Sequence, residues 1–241
     1  MAEAPLLEVE NITTRYGLSQ VLFGMTLAIA AGEMVTLMGR NGMGKTTTVR
    51  SIMGLTPATA GSIRFASREI HELPPYRIAQ LGIGLVPEGR QIFPNLTARE
   101  NLVATAANRS GGEATWTLAK VHELFPRLAE RQASMGNQLS GGEQQMLAVG
   151  RALVVNPKLL LLDEPLEGLA PIIVSELLRA IARITREEGL SAIIVEQHPQ
   201  AILAISDRAI VLDHGTVVHA DTAAALRSAP ELLDRLLGVA R

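Results

Sequence analysis

The chain has 241 residues, a formal net charge of −2 and no cysteine. A chain of this length can bury a substantial core as one large α/β domain or two small ones, and its near-neutral charge gives no electrostatic reason to expect nucleic acid as a partner. The lack of cysteine excludes disulfides, thiolate metal sites and a cysteine nucleophile, and it fits a reducing cytoplasm.

The first third of the chain predicts a soluble protein with an antiparallel β layer. The first residues are acidic where a secretory signal would be basic. Leu7, Val9 and Ile12 alternate with polar residues in the segment from Leu6 to Ile29, which is the pattern of half-buried strands. Gly61–Phe65 is typical of a further edge strand. No segment of the chain approaches the ~20 uncharged apolar residues of a membrane span, so we expect action at a membrane only by docking on another molecule.

A glycine-rich loop at residues 39–46 matches the pattern G-x-x-x-x-G-K-[ST] without a mismatch. A short apolar run precedes it and apolar residues at helical spacing follow it up to Gly54, so the loop joins a buried strand to a helix. In that context backbone N–H groups and the helix N-terminus can hold a polyphosphate, whereas an ordinary glycine-rich turn would lack these flanks. Lys45 would reach the β- and γ-phosphates, and the Thr46 hydroxyl would reach Mg²⁺. The candidate phosphate-binding residues are Gly39, Arg40, Asn41, Gly42, Met43, Gly44, Lys45, Thr46 and Thr47.

After residue 34, strands and helices alternate, which predicts a mainly parallel sheet with right-handed crossovers. The region from Thr97 to Leu128 is predicted to be helical apart from a loop tip at Arg109–Gly112, and helical spacing returns from Gly142 to Val155. The tail from Thr222 to Leu237 has the pattern of one amphipathic helix. Further strands are predicted at 81–87, 159–163, 192–195 and 209–212.

The apolar run Leu159–Leu162 ends in two adjacent carboxylates, Asp163 and Glu164. In phosphate-loop enzymes such a strand lies beside the strand that feeds the loop, and its terminal aspartate reaches Mg²⁺, commonly through water. Glu164 could then polarise the attacking water as a general base. A strand that merely ends in an acidic turn would show the same residues, but the matching phosphate loop upstream favours the metal site.

The stretch Leu139–Gln145 predicts a second helix N-terminus that is suited to phosphate. Ser140 is a candidate N-cap and Glu143 follows three residues later, as in a capping box. Gly141 and Gly142 would let the backbone approach an anion closely. An ordinary capped helix without a bound phosphate would show the same residues and is the alternative interpretation.

The motif at 139–145 resembles the signature sequence of the ATP-binding cassette (ABC) family, in its order and spacing relative to the glycine loop and to the strand that ends in Asp163 and Glu164. The resemblance covers essentially the whole chain. It implies an α/β fold of the P-loop NTPase class, an ABC-type nucleotide-binding domain with a mainly parallel core sheet, an N-terminal antiparallel β layer and a helical subdomain. It implies a single domain over residues 1–241, with the helical subdomain inserted in a RecA-like core at about residues 90–155. The implied cofactors are ATP and Mg²⁺, and the implied activity is ATP hydrolysis.

The resemblance also implies roles for individual residues. Tyr16 matches the aromatic that stacks on adenine, although a tyrosine packed in the β layer is an alternative. Asp163 matches the magnesium-linked aspartate and Glu164 the catalytic glutamate. Ser140–Gly142 match the signature residues that contact the γ-phosphate of a nucleotide held by the other cassette, and Glu143 is counted with them. We therefore expect two cassettes to pair head to tail, and a lone chain to hydrolyse ATP poorly.

Three positions depart from the general family pattern. Glu88 stands where most members carry glutamine; a carboxylate can ligate Mg²⁺, but it cannot donate a hydrogen bond to water. Ala170 replaces the usual aspartate in the loop after the catalytic glutamate. At the position of the family's switch histidine, counting back from Ser206 places Gln197, with His198 one residue away. We favour Gln197 as the γ-phosphate sensor and keep His198 as the alternative.

These departures occur together in one branch, and the chain resembles the ATPase subunits of branched-chain amino-acid importers (LivF type). The resemblance implies a second cassette, two transmembrane permease subunits and, indirectly, an extracytoplasmic solute-binding protein, with this chain peripheral on the cytoplasmic face of the cell membrane. The alternatives are a urea, amide or other amino-acid importer, or a soluble ABC ATPase of translation, repair or chromosome structure. A small-molecule P-loop kinase would not need the motif at 139–145.

Overall fold

The computed structural model describes residues 4–108, 113–197 and 199–238. The strands are β1 (Leu7–Tyr16), β2 (Ser19–Ile29), β3 (Met34–Met38), β4 (Ala60–Phe65), β5 (Arg68–Glu69), β6 (Ile83–Val86), β7 (Leu159–Asp163), β8 (Ser191–Glu196), β9 (Arg208–Asp213) and β10 (Thr216–Thr222). The helices are α1 (Lys45–Ile52), α2 (Pro75–Gln80), α3 (Ala98–Thr105), α4 (Leu118–Leu124), α5 (Pro126–Glu130), α6 (Gly141–Leu153), α7 (Pro171–Arg186), α8 (Pro199–Ile202), α9 (Ala223–Ser228) and α10 (Pro230–Leu236).

The strands form two sheets. The smaller sheet has the order β2-β1-β4-β5 and is antiparallel throughout. The larger sheet has the order β10-β9-β3-β8-β7-β6, and its strands are parallel except for β10, which pairs antiparallel with β9. The prediction of a mainly parallel core sheet with an N-terminal antiparallel layer is therefore confirmed. The expectation that the strand ending in Asp163 lies directly beside the strand that feeds the glycine loop is wrong, because β8 lies between β3 and β7 and pairs with both.

The core sheet is covered on both faces, and this explains the continuous apolar runs of its central strands. Every residue of β3 and β7 is buried. In β7, Leu160 and Leu162 pack into the core cluster that includes α3, α6 and α7. Leu159 and Leu161 pack on the other face, into the cluster shared with β1, β2 and α1. Strands that are buried on two faces lose the alternation of apolar and polar residues.

The helices α3 to α6 lie in the connection between β6 and β7. The interruption of this helical region is longer than predicted, because α3 ends at Thr105 and α4 begins only at Leu118. The Thr117 side chain caps α4 by accepting a hydrogen bond from the backbone N–H of Lys120 (3.2 Å). The predicted loop tip at 109–112 lies outside the described residues.

The prediction of one helix in the tail is wrong, because the tail forms two helices, α9 and α10. Ala229 leaves the helical conformation, with φ of −124°, directly before Pro230. A proline disfavours the helical conformation of the residue before it. Through Leu226 and Leu233 both helices join an apolar cluster with Met38 of β3 and with Ala209 and Val211 of β9. Among the helices of the described ranges, none combines the length and apolar character that crossing a bilayer would demand.

Candidate functional site

The glycine loop, Asp163, Glu164 and Gln197 meet where β3, β7 and β8 end at the same edge of the core sheet. The loop 39–44 leaves β3, Asp163 ends β7, and Gln197 follows β8 directly. The carboxyl ends of parallel strands are the usual binding edge of such sheets. A cavity of about 390 Å³ lies there. It is lined by Val21, Asn41, Gly42, Gly44, Lys45, Thr46, Thr47, Glu88, Glu164, Glu167 and Gln197.

The first half of the glycine loop lies at the rim of a second cavity, of about 1070 Å³, that extends from the loop to α9 and α10. Gly39, Arg40 and Met43 line this cavity and not the first one, while Asn41 and Gln197 line both. Gly39 has to be glycine at its place: its φ is +150°, and a Cβ there would stand 2.5 Å from the carbonyl oxygen of Leu212 on β9. The loop is therefore packed closely against the core sheet.

Lys45 is the first residue of α1, and its ammonium group folds back over the loop. It is 4% exposed, and Nζ donates hydrogen bonds to the carbonyl oxygens of Gly39 (2.8 Å) and Arg40 (3.0 Å). The Oε1 atom of Glu164 lies 3.7 Å from Nζ. Burial lowers the pKa of Lys45, while the charges of Glu164 and Asp163 act against that shift. The glycine loop thus holds a buried cation against its own carbonyl oxygens.

Thr46, which lines the cavity, is hydrogen-bonded to the buried carboxylate of Asp163. The Thr46 hydroxyl donates a hydrogen bond to Oδ1 of Asp163 at 3.1 Å. Burial raises the pKa of Asp163 to about 6, the Thr46 hydrogen bond lowers it, and the charges of Glu164 and Glu88 raise it further. A divalent cation would relieve this repulsion between carboxylates.

This donor set fits Mg²⁺, which takes oxygen ligands and keeps waters and substrate phosphates in its shell. The Thr46 hydroxyl and the exposed Glu88 line the cavity, and the buried carboxylate of Asp163 contacts the Thr46 hydroxyl. Within the described ranges, no cluster of three His, Cys, Asp or Glu side chains could hold a metal by itself. A Mg²⁺ ion held by these groups would complete its shell with further oxygen ligands, such as water or phosphate oxygens.

Glu164 and Gln197 are held together by a side-chain hydrogen bond. The amide Nε2 of Gln197 donates to Oε2 of Glu164 at 2.8 Å. Glu164 has a left-handed backbone, with φ of +48°, and its side chain is 10% exposed. Gln197 thus lies beside the predicted catalytic carboxylate, while its role as γ-phosphate sensor stays a prediction. His198 lies outside the described residues.

Tyr16 and the motif at 140–143 do not reach the cavity. Tyr16 ends β1, is 45% exposed, and its hydroxyl lies 3.4 Å from the hydroxyl of Thr56. Ser140 and Glu143 form the predicted capping box at the start of α6: the Ser140 hydroxyl accepts from the backbone N–H of Glu143, and the Glu143 carboxylate accepts from that of Ser140. Gly141 and Gly142 open that helix. A single chain therefore places this motif away from its own glycine loop.

Sequence reasoning missed two acidic residues of the site. Glu167 lines the cavity. Glu196 ends β8 and is 3% exposed, and its carboxylate accepts hydrogen bonds from the backbone N–H groups of Leu166 (3.0 Å) and Gln197 (3.3 Å). The available signal was an acidic residue at the end of the apolar run 192–195, the same pattern that singled out Asp163.

The sequence model of the ABC transporter family matches residues 22–167. The chain belongs to this family. It is similar to the high-affinity branched-chain amino acid transport ATP-binding protein BraG of Pseudomonas aeruginosa, with 43% identity over 97% of this chain and 100% of that protein. The lipopolysaccharide export system ATP-binding protein LptB of Escherichia coli is 35% identical over 88% of each chain.

Solved structures of ABC cassettes have the same fold. A nucleotide-free ATP-binding cassette from an ABC transporter superposes with a TM-score of 0.81 at 23% identity, covering 95% of this chain and 98% of that one. The dimeric bacterial ABC transporter cassette MJ0796 superposes with a TM-score of 0.77 at 24% identity, covering 90% and 98%. The predicted family and fold are confirmed. The chain is an ATP-binding ABC ATPase, and cassettes of this kind work in dimers with membrane permease subunits.

Proposed function

We propose that this cassette is the ATP-hydrolysing subunit of a membrane importer for branched-chain amino acids. The observation that carries the proposal is the similarity to BraG, which extends over the full length of that protein. The similarity to the export cassette LptB is lower in identity and leaves part of both chains unmatched. The residues Glu88, Ala170 and Gln197, which set the branch apart in the sequence, support the same assignment.

In the proposed mechanism the glycine loop and α1 hold the triphosphate of ATP. The Lys45 ammonium exchanges the carbonyl oxygens of Gly39 and Arg40 for phosphate oxygens, which are stronger acceptors because they are charged. Thr46, Asp163 and Glu88 are the protein groups that would hold Mg²⁺. When bound, this ion neutralises charge on the transferring phosphoryl group. Tyr16, the last residue of β1, is the proposed stacking partner of the adenine ring.

Glu164 is the proposed general base. Glu164 lines the cavity, and its Oε2 atom accepts a hydrogen bond from the side-chain amide of Gln197. Its other oxygen, Oε1, lies 3.7 Å from the Lys45 ammonium. When the γ-phosphate draws the Lys45 ammonium away, Oε1 is free to accept a proton from the attacking water. General-base catalysis of this kind contributes about 10²–10⁴-fold to a rate.

A second cassette completes the site in this proposal. Ser140–Glu143 stand away from the glycine loop of their own chain, so they would meet the nucleotide of a partner, and the partner's motif would meet this one. The pair, whether of two different cassettes or of two copies, would sit on two permease subunits at the cytoplasmic face of the cell membrane. A solute-binding protein outside the membrane would deliver the substrate. The surface from Arg90 to Leu102, with Phe93 42% exposed, is the proposed docking surface for the permeases.

The proposal is tested by capture and by uptake. The tagged chain, recovered from mild-detergent membrane extracts, should bring down two polytopic membrane proteins and a second cassette. Cells that lack the chain should regain uptake of radiolabelled leucine with the native chain but not with Lys45→Ala. The control is Lys158→Ala, which should restore uptake because Lys158 is exposed and lines neither cavity at the glycine loop. Recovery of the tagged chain with ribosomes or DNA-processing proteins would refute its role in a transporter. If the chain restored uptake of urea and not of leucine, the proposed solute class would be wrong.

A further inference from the structure

Glu196 is a buried carboxylate whose two oxygens hold two different segments. It is 3% exposed at the end of β8. Oε1 accepts the backbone N–H of Leu166 at 3.0 Å, and Oε2 accepts the backbone N–H of Gln197 at 3.3 Å. Across the residues that the structure describes, no ion pair within 4.0 Å involves Glu196. A buried carboxylate without a close cation is unfavourable for folding, which indicates that it is retained for another reason.

The first segment that Glu196 holds is the main chain around Glu164. Glu164 has φ of +48°, a conformation that residues other than glycine seldom adopt and that persists only where the surroundings enforce it. Two hydrogen bonds from the end of β8 do so: Glu164 N–H donates to the carbonyl oxygen of Val195 (3.0 Å), and Leu166 N–H donates to Glu196. The end of β8 therefore fixes the chain at Glu164 itself and just beyond it.

The second segment is Gln197, whose backbone is held by Glu196 while its side-chain amide holds the Glu164 carboxylate at 2.8 Å. These contacts form a closed ring. The Glu196 carboxylate holds the N–H of Leu166, the chain leads back to Glu164, the Glu164 carboxylate accepts from the Gln197 side chain, and the Gln197 backbone N–H returns to Glu196. The ring connects the loop after β7 with the end of β8, and the proposed base is the member that faces the cavity.

We propose that Glu196 is a positioning residue for ATP hydrolysis, which aims the Glu164 carboxylate by clamping the main chain on both sides of the Gln197–Glu164 contact. It acts through Glu164 and Gln197 and does not touch the nucleotide. The inference rests on the proposed role of Glu164 as the general base.

The chemistry of the clamp explains why a carboxylate is required. A carboxylate accepts at both oxygens, whereas a glutamine side chain of the same shape offers one accepting oxygen and one NH₂ donor, which would oppose one of the two N–H groups. Aspartate keeps both acceptors on a shorter side chain. Burial raises the pKa of Glu196 to about 7, and its two backbone hydrogen bonds act against that shift. The N–H donors thus favour the charged form that the clamp needs.

The test compares Glu196→Gln, Glu196→Asp and Glu164→Gln with Thr36→Val, which removes a buried hydrogen bond to Ser206 elsewhere in the core sheet. The full chain is assayed within its transporter complex for kcat and KM of MgATP hydrolysis, and equilibrium binding is measured with a fluorescent ATP analogue. We expect Glu196→Gln to lower kcat about tenfold or more, with KM and analogue affinity within about twofold of the native values. Glu196→Asp should recover part of the loss, and Thr36→Val should leave kcat unchanged.

The decisive comparison is the double variant. If Glu196 acts through Glu164, then adding Glu196→Gln to Glu164→Gln lowers kcat no further, because the group being aimed is already gone. Additive losses, or a loss of analogue affinity equal to the loss of kcat, would overturn the positioning role in favour of a merely structural one. A Glu164→Gln variant with native kcat would instead refute the proposed role of Glu164 as general base, whereas native kcat in Glu196→Gln alone refutes only this inference. Should Glu196→Gln not fold, Glu196→Asp decides by the same comparison.

Discussion

Replacing Glu196 with glutamine should change the pH dependence of the free energy of unfolding. Burial, together with the charges of Glu164 and Glu167, raises the pKa of this carboxyl from 4.5 to about 7 in the folded chain, against the lowering effect of its two backbone hydrogen bonds. The charge of Glu196 acts on Lys45 of α1, although the two groups form no ion pair within 4.0 Å. Because the unfolded chain releases this proton at a lower pH than the folded chain, the native free energy of unfolding falls as the pH rises between the two pKa values.

The size of the effect follows from the shift. One pKa unit corresponds to about 1.4 kcal/mol, so the full shift amounts to roughly 3 kcal/mol, and most of this, roughly 2 to 3 kcal/mol, is lost between about pH 5 and pH 8. The Glu196→Gln variant has no proton to release at this position. Its loss of a backbone hydrogen bond costs about 1 kcal/mol, but that cost does not change with pH.

Urea unfolding of both proteins at a series of pH values, without nucleotide and at constant ionic strength, measures the difference. Far-UV circular dichroism and the fluorescence of Trp116, the single tryptophan, should report the same transition. We expect the free energy of unfolding of the variant, relative to the native chain, to rise by roughly 2 to 3 kcal/mol from about pH 5 to pH 8 and then to level off. Parallel curves would refute the reasoning, because they would mean that Glu196 titrates alike in both states.

Two further changes test the packing and the docking surface. Gly215→Ala should destabilise the chain by roughly 3 kcal/mol or more and lower the melting temperature by about 6 to 12 °C, because a Cβ would stand 1.8 Å from the carbonyl oxygen of Val21 at φ of +75°. The control, Gly17→Ala, has nothing within 4 Å of its Cβ and should cost only about 1 kcal/mol. Equal melting temperatures of the two variants would contradict this prediction. Phe93→Ala should lower leucine uptake while the basal ATPase rate of the purified chain stays unchanged. The control is Val218→Ala, because Val218 is a similarly exposed apolar side chain on β10 (47%). A joint loss of uptake and ATPase activity in Phe93→Ala would count against the docking surface.

The parts of the fold that could be predicted are those with a strong local pattern. Met34–Met38 and Leu159–Asp163 are continuous apolar runs because both faces of the core sheet are covered. β10 was not predicted, since none of its residues is buried and its sequence carries no alternation. The turn before it, His214 and Gly215 with φ of +44° and +75°, has the positive φ values of a tight hairpin, but His-Gly is a weaker signal than Asn-Gly or Asp-Gly.

In the candidate site, too, the part that could be predicted is the part with a strong local sequence pattern. The glycine loop is contiguous, so the chain from Gly39 to Thr46 specifies it without knowledge of the sheet. The contact between Leu166 and Glu196 depends on β7 and β8 being neighbours, with Asp163 opposite Val195. No spacing in the sequence gives that register, so Glu196 remained one more acidic residue at the end of a strand. Likewise, only the packing of α6 places Ser140 away from the glycine loop of its own chain.

The position of β3 in the core sheet has a consequence for how the chain is made. Its partners are β8 and β9, and 170 residues separate Thr36 on β3 from Ser206 just before β9. At usual rates of synthesis, this apolar strand leaves the ribosome on the order of 10 to 30 s before its second neighbour. The antiparallel layer of β1, β2 and β4 can form during that time from nearby segments, but β3 waits with two open edges, which is the condition that invites aggregation. Nascent chains of this cassette should therefore depend on chaperones until the last third has been translated.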